Sequence, residues 1–141
     1  MPSTLFSRED IDLGLKNLTN RKAVDLQEMK AEMLKWAGDE AVTWIRDLFN
    51  KAIETGMPEE WTHNWIKPIH KTGDRSVANN YRTIMVGSAM AKLFGTVMEN
   101  KISSWAEENS KHAKSQAGFR KHYNTTDHLV TLRVTKWSVV L

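Results

Sequence analysis

The apolar positions of this chain change their spacing near Trp61. Before it they recur at helical intervals. Leu26, Met29, Met33 and Trp36 fall three or four residues apart, which predicts a helix that Gly38 ends. Asp39 is placed to cap the next helix, where Val42, Ile45, Phe49 and Ile53 form one apolar stripe over about four turns. Gly56 and Pro58 close it. Ser7, with Asp10 three residues on, predicts a capped helix over Arg8–Leu15. Trp36, Trp44 and Trp105 fall on or near apolar helical faces and are expected in the core.

After Trp61 the texture is different. Asn64–His70 alternates imperfectly and contains Pro68, which has no N–H to give a ladder, so it reads as an edge strand or an irregular extended stretch. Thr72-Gly73-Asp74 is a turn signal, and β-prone Tyr81–Val86 is expected to pair with Trp65–Ile69. Ser88 is placed to cap the longest helix, with Met90, Phe94, Val97, Lys101 and Trp105 on one face. Ser110–Ala117 reads as a polar loop, Gly118-Phe119-Arg120 as a tight extended turn, Thr126–Lys136 as a last helix and Ser138–Leu141 as a β-prone end. The pattern predicts an α+β fold, mainly helical, with one small antiparallel hairpin at about 62–86.

Composition narrows the function classes. A chain of 141 residues suits one ordinary domain, and 40% hydrophobic with 26% charged residues suits a soluble one. No apolar run approaches the roughly 18 residues of a membrane span, and the N-terminus lacks the basic and apolar stretches of a signal peptide. The absence of cysteine excludes disulfides and thiolate metal sites. The expectation is an intracellular protein, cytoplasmic or nuclear, with no membrane partner. Charge is unevenly spread: residues 1–60 hold 8 basic and 12 acidic side chains, whereas residues 61–141 hold 12 and 5. A basic C-terminal half suits a polyanion, although a solvated basic surface is the plainer account.

Neither GxGxxG nor GxxxxGKS is present, so no nucleotide-binding α/β fingerprint is carried. The chemistry is concentrated in Trp61–Ile84. A hairpin with Lys71 on one arm and Arg82 on the other would aim two cations at one point. Arginine gives phosphate a planar bidentate contact and lysine a mobile point charge. Taken alone, two basic residues on a hairpin more often simply face solvent. His122 and His128 flank Asp127 without a common ligand spacing. Glu59-Glu60 and Glu107-Glu108 are adjacent and diverge, and Asp74 reads as a turn-former. No catalytic or metal-binding set emerges.

The order of these residues resembles the reverse transcriptases of non-LTR (LINE-type) retrotransposons. That family carries W…I.PI.K.GD, then YRPI, then a helix containing K, then Q.GFR with a nearby Asp. Here stand Trp61, Pro68, Ile69, Lys71, Gly73 and Asp74, then Tyr81, Arg82 and Ile84, then Lys92, then Gln116, Gly118, Phe119, Arg120 and Asp127. The likeness runs from about Asn20 to about Arg133, with Lys22-Ala23 and Ala31–Lys35 similar to the family's lead-in. Thr83 replaces the usual Pro, and Val24–Gln27 replaces a Gly- and Asp-containing turn.

The resemblance implies the fingers subdomain of a right-hand polymerase fold, without the palm's catalytic core. It implies an N-terminal segment 1–19 with a short helix and a partial reverse transcriptase domain over 20–141. Lys71 and Arg82 would contact the triphosphate of an incoming deoxynucleotide or the template backbone. Gln116, Gly118, Phe119 and Arg120 would lie along the RNA template or an RNA–DNA duplex, Gly118 admitting a close backbone approach and Phe119 filling the core. The complete enzyme uses Mg²⁺ held by aspartates. This chain has no Asp-Asp pair, and Asp127 is its last aspartate. It is therefore expected to hold no cofactor and not to copy nucleic acid alone. Its stop at Val139-Val140-Leu141, where a strand is expected to start, leads to the expectation of a truncated element or gene fragment. Two other classes fit the same residues: a stand-alone nucleic-acid-binding module, and a helical protein-interaction domain with Met- and Trp-rich faces.

Overall fold

A computed structural model describes residues 5–113, 116–118, 120 and 123–138, the last four by backbone only. The chain divides into two compact units, Met1–Asn100 and Lys101–Leu141.

Helix α1 (Arg8–Asn17) opens the first unit with a complete capping box: Ser7 Oγ accepts from the Asp10 N–H at 3.3 Å, and the Ser7 N–H donates to Asp10 Oδ2 at 2.8 Å. Helix α3 (Asp39–Thr55) buries Val42, Ile45, Phe49 and Ala52. These meet Ile11 and Leu15 of α1 and Leu93, Phe94 and Val97 of α4 (Ala89–Glu108) in one core. Phe6, fully buried, is fixed there by Asn50, whose side chain binds both its N–H (2.9 Å) and its C=O (3.0 Å). Edge-to-face ring pairs knit the centre: Phe6–Phe49 at 6.2 Å, Phe49–Phe94 at 5.1 Å and Phe49–Trp61 at 5.8 Å between centroids.

Several helical expectations are corrected. Only Ala31–Lys35 (α2) is helical between residues 20 and 38, and Leu34, not Met33, is buried. The cause is Asp25. Its Oδ1 takes the N–H groups of Gln27 (3.0 Å) and Met29 (2.8 Å), and Glu28 sits at φ 58°, so residues 25–29 form a turn. Gly38, at φ 85°, is the N-cap of α3, and Asp39 is its first residue, paired with Arg8. Ala52 takes the buried position expected of Ile53. Trp36, Trp44 and Trp105 are not core residues: they are 80%, 77% and 54% exposed. Trp44 stands off the buried stripe of α3, on its solvent side.

A 3-10 turn (Glu59–Trp61) leads into the hairpin of β1 (Trp65–His70) and β2 (Tyr81–Val86), the one sheet among the described residues. The strands are antiparallel, with Trp65 opposite Val86, Lys67 opposite Ile84 and Ile69 opposite Arg82. In the second unit, α5 (Thr125–Ser138) shows exposed Leu129, Val130, Leu132 and Val134. Ser138 is helical rather than extended, and the rest of the expected β-prone end lies outside the described residues. Among the described residues no helix is long and apolar enough to cross a membrane.

Candidate nucleic-acid interface

Strand side chains alternate between faces, and directly opposed residues share a face. The register therefore sets Trp65, Lys67 and Ile69 of β1 on the same face as Arg82, Ile84 and Val86 of β2. Lys71 continues that alternation, because its N–H donates to the Asn80 carbonyl at 2.8 Å and extends the ladder by one rung. Lys71 and Arg82 thus do fall on one face. Lys67 joins them there, roughly 13 Å from Lys71 along the strand at 3.3 Å per residue. The opposite face carries His70 against Tyr81, ring centroids 5.3 Å apart. All three cations are exposed, as is Trp65 at 54%.

The loop between the strands is tightly built. Gly73, at φ 84°, occupies the left-handed region, and a Cβ there would stand 2.8 Å from Asn80 Nδ2. That amide donates to the Asp74 carbonyl at 2.8 Å, and the Tyr81 hydroxyl donates to the Arg75 carbonyl at 2.9 Å. The Ser76 N–H donates to Asp74 Oδ1 at 2.9 Å, and this bond, with the Ser76 side chain, holds the Asp74 carboxyl below its ordinary pKa. Asp74 is a turn-former here.

The residues expected along a template are in the second unit. Gln116 Nε2 donates to the Gly118 carbonyl at 3.3 Å. Gly118 is exposed, and an added Cβ would meet nothing within 4 Å among the described residues. Arg120 grips Glu107 with two bonds, Nε to Oε1 at 2.7 Å and Nη2 to Oε2 at 2.9 Å, and stacks over Tyr123 at 4.4 Å. Its bond to Glu107 raises an already high guanidinium pKa. Phe119 and His122 lie outside the described residues.

At the base of the hairpin lies a cleft of about 730 Å³, lined among others by Lys22, Asp25, Ile84, Val86 and Lys92. Asp25, 4% exposed, holds the cleft's shape by tying two elements together. While Oδ1 closes its own loop, Oδ2 accepts from the Ala89 N–H at 2.8 Å, at the start of α4. Sequence reading missed Lys67, which the alternation of side chains back along the strand from Lys71 would have found. It also missed the bond from Asp25 to Ala89, 64 residues away, which has no local signal. Among the described residues there is no group of three or more His, Asp or Glu that could hold a metal ion.

No protein-family model matches the chain. Over 123 residues, 86% of its length, it is 24% identical to a probable RNA-directed DNA polymerase from transposon BS of Drosophila melanogaster. The likeness supports a reverse-transcriptase relationship. The chain spans 14% of the length of that relative.

Proposed function

We propose that this chain is a portion of a retrotransposon reverse transcriptase of the non-LTR type, its fingers subdomain, and that it grips nucleic acid without copying it. The observation that carries the reading is the register, which puts Lys71 and Arg82 on one exposed face. The likeness to a transposon polymerase agrees with it. On that face the two side chains bind phosphate, either of template RNA or an RNA–DNA duplex, or of an incoming deoxynucleotide triphosphate. Gln116, Gly118 and Arg120 follow the template in the parent protein, Arg120 exchanging Glu107 for phosphate. The piece has no Asp-Asp pair, and a two-metal polymerase needs carboxylates to hold its ions, so alone it extends no primer.

Titrating a labelled RNA–DNA primer–template with the protein at several salt concentrations tests this. The expected result is binding that weakens steeply with salt. The log–log slope should be about 2 shallower when Lys71 and Arg82 are both changed to Ala, close to 0.9 for each phosphate no longer neutralised. Binding untouched by that double change would remove the hairpin from the interface. The exposure of Trp36 and Trp44 favours a second reading, a helical protein-interaction surface. It predicts a stable partner complex and no salt-dependent nucleic-acid binding.

A further inference from the structure

The basic face of the hairpin does not end with the cations near its tip. Ile84 lies opposite Lys67 in the register and also lines the cleft at the hairpin's base. Met85, on the opposite face, lines the cleft too, so the cleft adjoins the edge of β2 beside the face that carries Lys67 and Arg82. At about 730 Å³ the cleft falls within the roughly 300–1,000 Å³ of sites that enclose small organic groups. Its walls include Leu18, Met29 and Val86, and Lys22 from the loop after α1 and Lys92 from α4 bring cations to it. The carboxylate of Asp25 also lines it, but both its oxygens are engaged by backbone N–H groups.

An apolar recess with two cations, beside a hairpin face that carries three more, suits a flat apolar group attached to a chain of anions. Nucleic acid has that chemistry only where a base has left its stack. A duplex keeps its bases inside and presents phosphate alone. We propose that the cleft receives one unstacked base of a single-stranded nucleic acid. The strand's backbone passes along Lys71, Arg82 and Lys67 and is then held by Lys22 and Lys92. This rests on the reading of the hairpin as a nucleic-acid grip, and adds the strandedness of the ligand and the seat of one base.

The test uses the full 141-residue chain and three labelled probes: single-stranded RNA, a strand of the same length with every base removed, and an RNA duplex. Single-stranded RNA is expected to bind roughly tenfold more tightly than the abasic strand, the order expected from burying part of one base's apolar ring surface in the cleft. Both single strands should show the same salt slope, since their phosphates are the same. Changing Lys22 and Lys92 together to Gln should make the slope on single-stranded RNA shallower by about 1.4, close to 0.7 per phosphate. Ala91→Leu, which fills the cleft without changing charge, should weaken single-stranded RNA and leave the duplex unchanged.

An abasic strand that binds as tightly as RNA overturns the proposal even if Ala91→Leu fails to fold. So does an unchanged slope in the Lys22/Lys92 variant. If either occurs while Lys71 and Arg82 remain necessary for binding, the hairpin grip stands and only the cleft assignment fails. If binding needs the base, Lys22 and Lys92 but not Lys71 and Arg82, the cleft stands and the hairpin assignment fails. No binding to any probe overturns both.

Discussion

Gly14 shows how a single missing methyl can set the distance between two helices. A Cβ built there would stand 2.5 Å from Val97 Cγ2 and 3.2 Å from Leu93 Cδ1. Both neighbours are fully buried and have no free space to retreat into. Gly14→Ala would gain up to about 1 kcal/mol of helix propensity. Overpacking against a closed core costs about 1–3 kcal/mol, and the clash is expected to win. A net loss of about 1–2 kcal/mol in denaturant unfolding is the expected outcome. Adding Val97→Ala, itself destabilising, should make Gly14→Ala much less harmful, a coupling that a double-mutant cycle measures directly. Additive losses would show that the helices are not held apart at this point.

Asp25 makes the opposite kind of contribution, since it supplies a group rather than omitting one. Its carboxylate satisfies three backbone N–H donors, those of Gln27, Met29 and Ala89. Asp25→Ala leaves them without that acceptor and is expected to cost about 2–4 kcal/mol, more than removal of a helix cap alone. Chemical unfolding checks it, and a loss below about 1 kcal/mol would mean that water replaces the carboxylate. Neither residue announces itself in the sequence. A glycine in a short helix and an aspartate in a polar loop acquire their roles from partners 83 and 64 positions away.

At the scale of elements, the legible parts are those whose signals are local. Ser7 with Asp10 predicts α1, and the capping box is present. The hairpin is read almost to the residue, because Gly73 and the β-prone run at Tyr81 fix its turn and its second arm. The helix expected from Leu26 to Trp36 fails because side-chain capture by Asp25 competes with helical spacing and wins. The tryptophans mislead for a related reason: an apolar type near a helical stripe is not necessarily on it. Trp44 is the clearest case, since the buried stripe of α3 runs through Val42, Ile45 and Phe49.

A two-stranded sheet is marginal in water, so the hairpin depends on its loop. Within the loop, the ionised Asp74 carboxylate receives the Ser76 N–H. Its folded pKa is lowered, so its contribution is complete above the ordinary aspartate range and fades as pH falls through the lower folded value. The Ser76 amide resonance should follow that titration, with a midpoint below the ordinary aspartate value, and Asp74→Asn should flatten it. A midpoint at or above the ordinary value would mean that the turn does not favour the charged form.

For the whole molecule, the large apolar cluster among the described residues lies within one of the two units. The buried cluster of Phe6, Ile11, Ile45, Phe49, Leu93, Phe94 and Val97 belongs entirely to Met1–Asn100. In the second unit, α5 carries Leu129, Val130, Leu132 and Val134 at 55–66% exposure. Local opening costs little where little buried apolar surface is uncovered, so the two units should differ in amide protection although both are helical. In native-state hydrogen exchange the slowest amides are expected at Ile45–Phe49 and Leu93–Val97, opening only with global unfolding. Amides from Leu129 to Val134 should exchange through a cheaper opening, at rates that denaturant barely changes. Equal protection in both regions would mean that the apolar face of α5 is covered in solution. Repeating the exchange with single-stranded RNA separates the ligand from the fold. Bound RNA should slow the amides of the hairpin and of the first turn of α4, where Lys67, Arg82 and Lys92 are placed. It should leave Ile45–Phe49 slowed only by the linked gain in global stability.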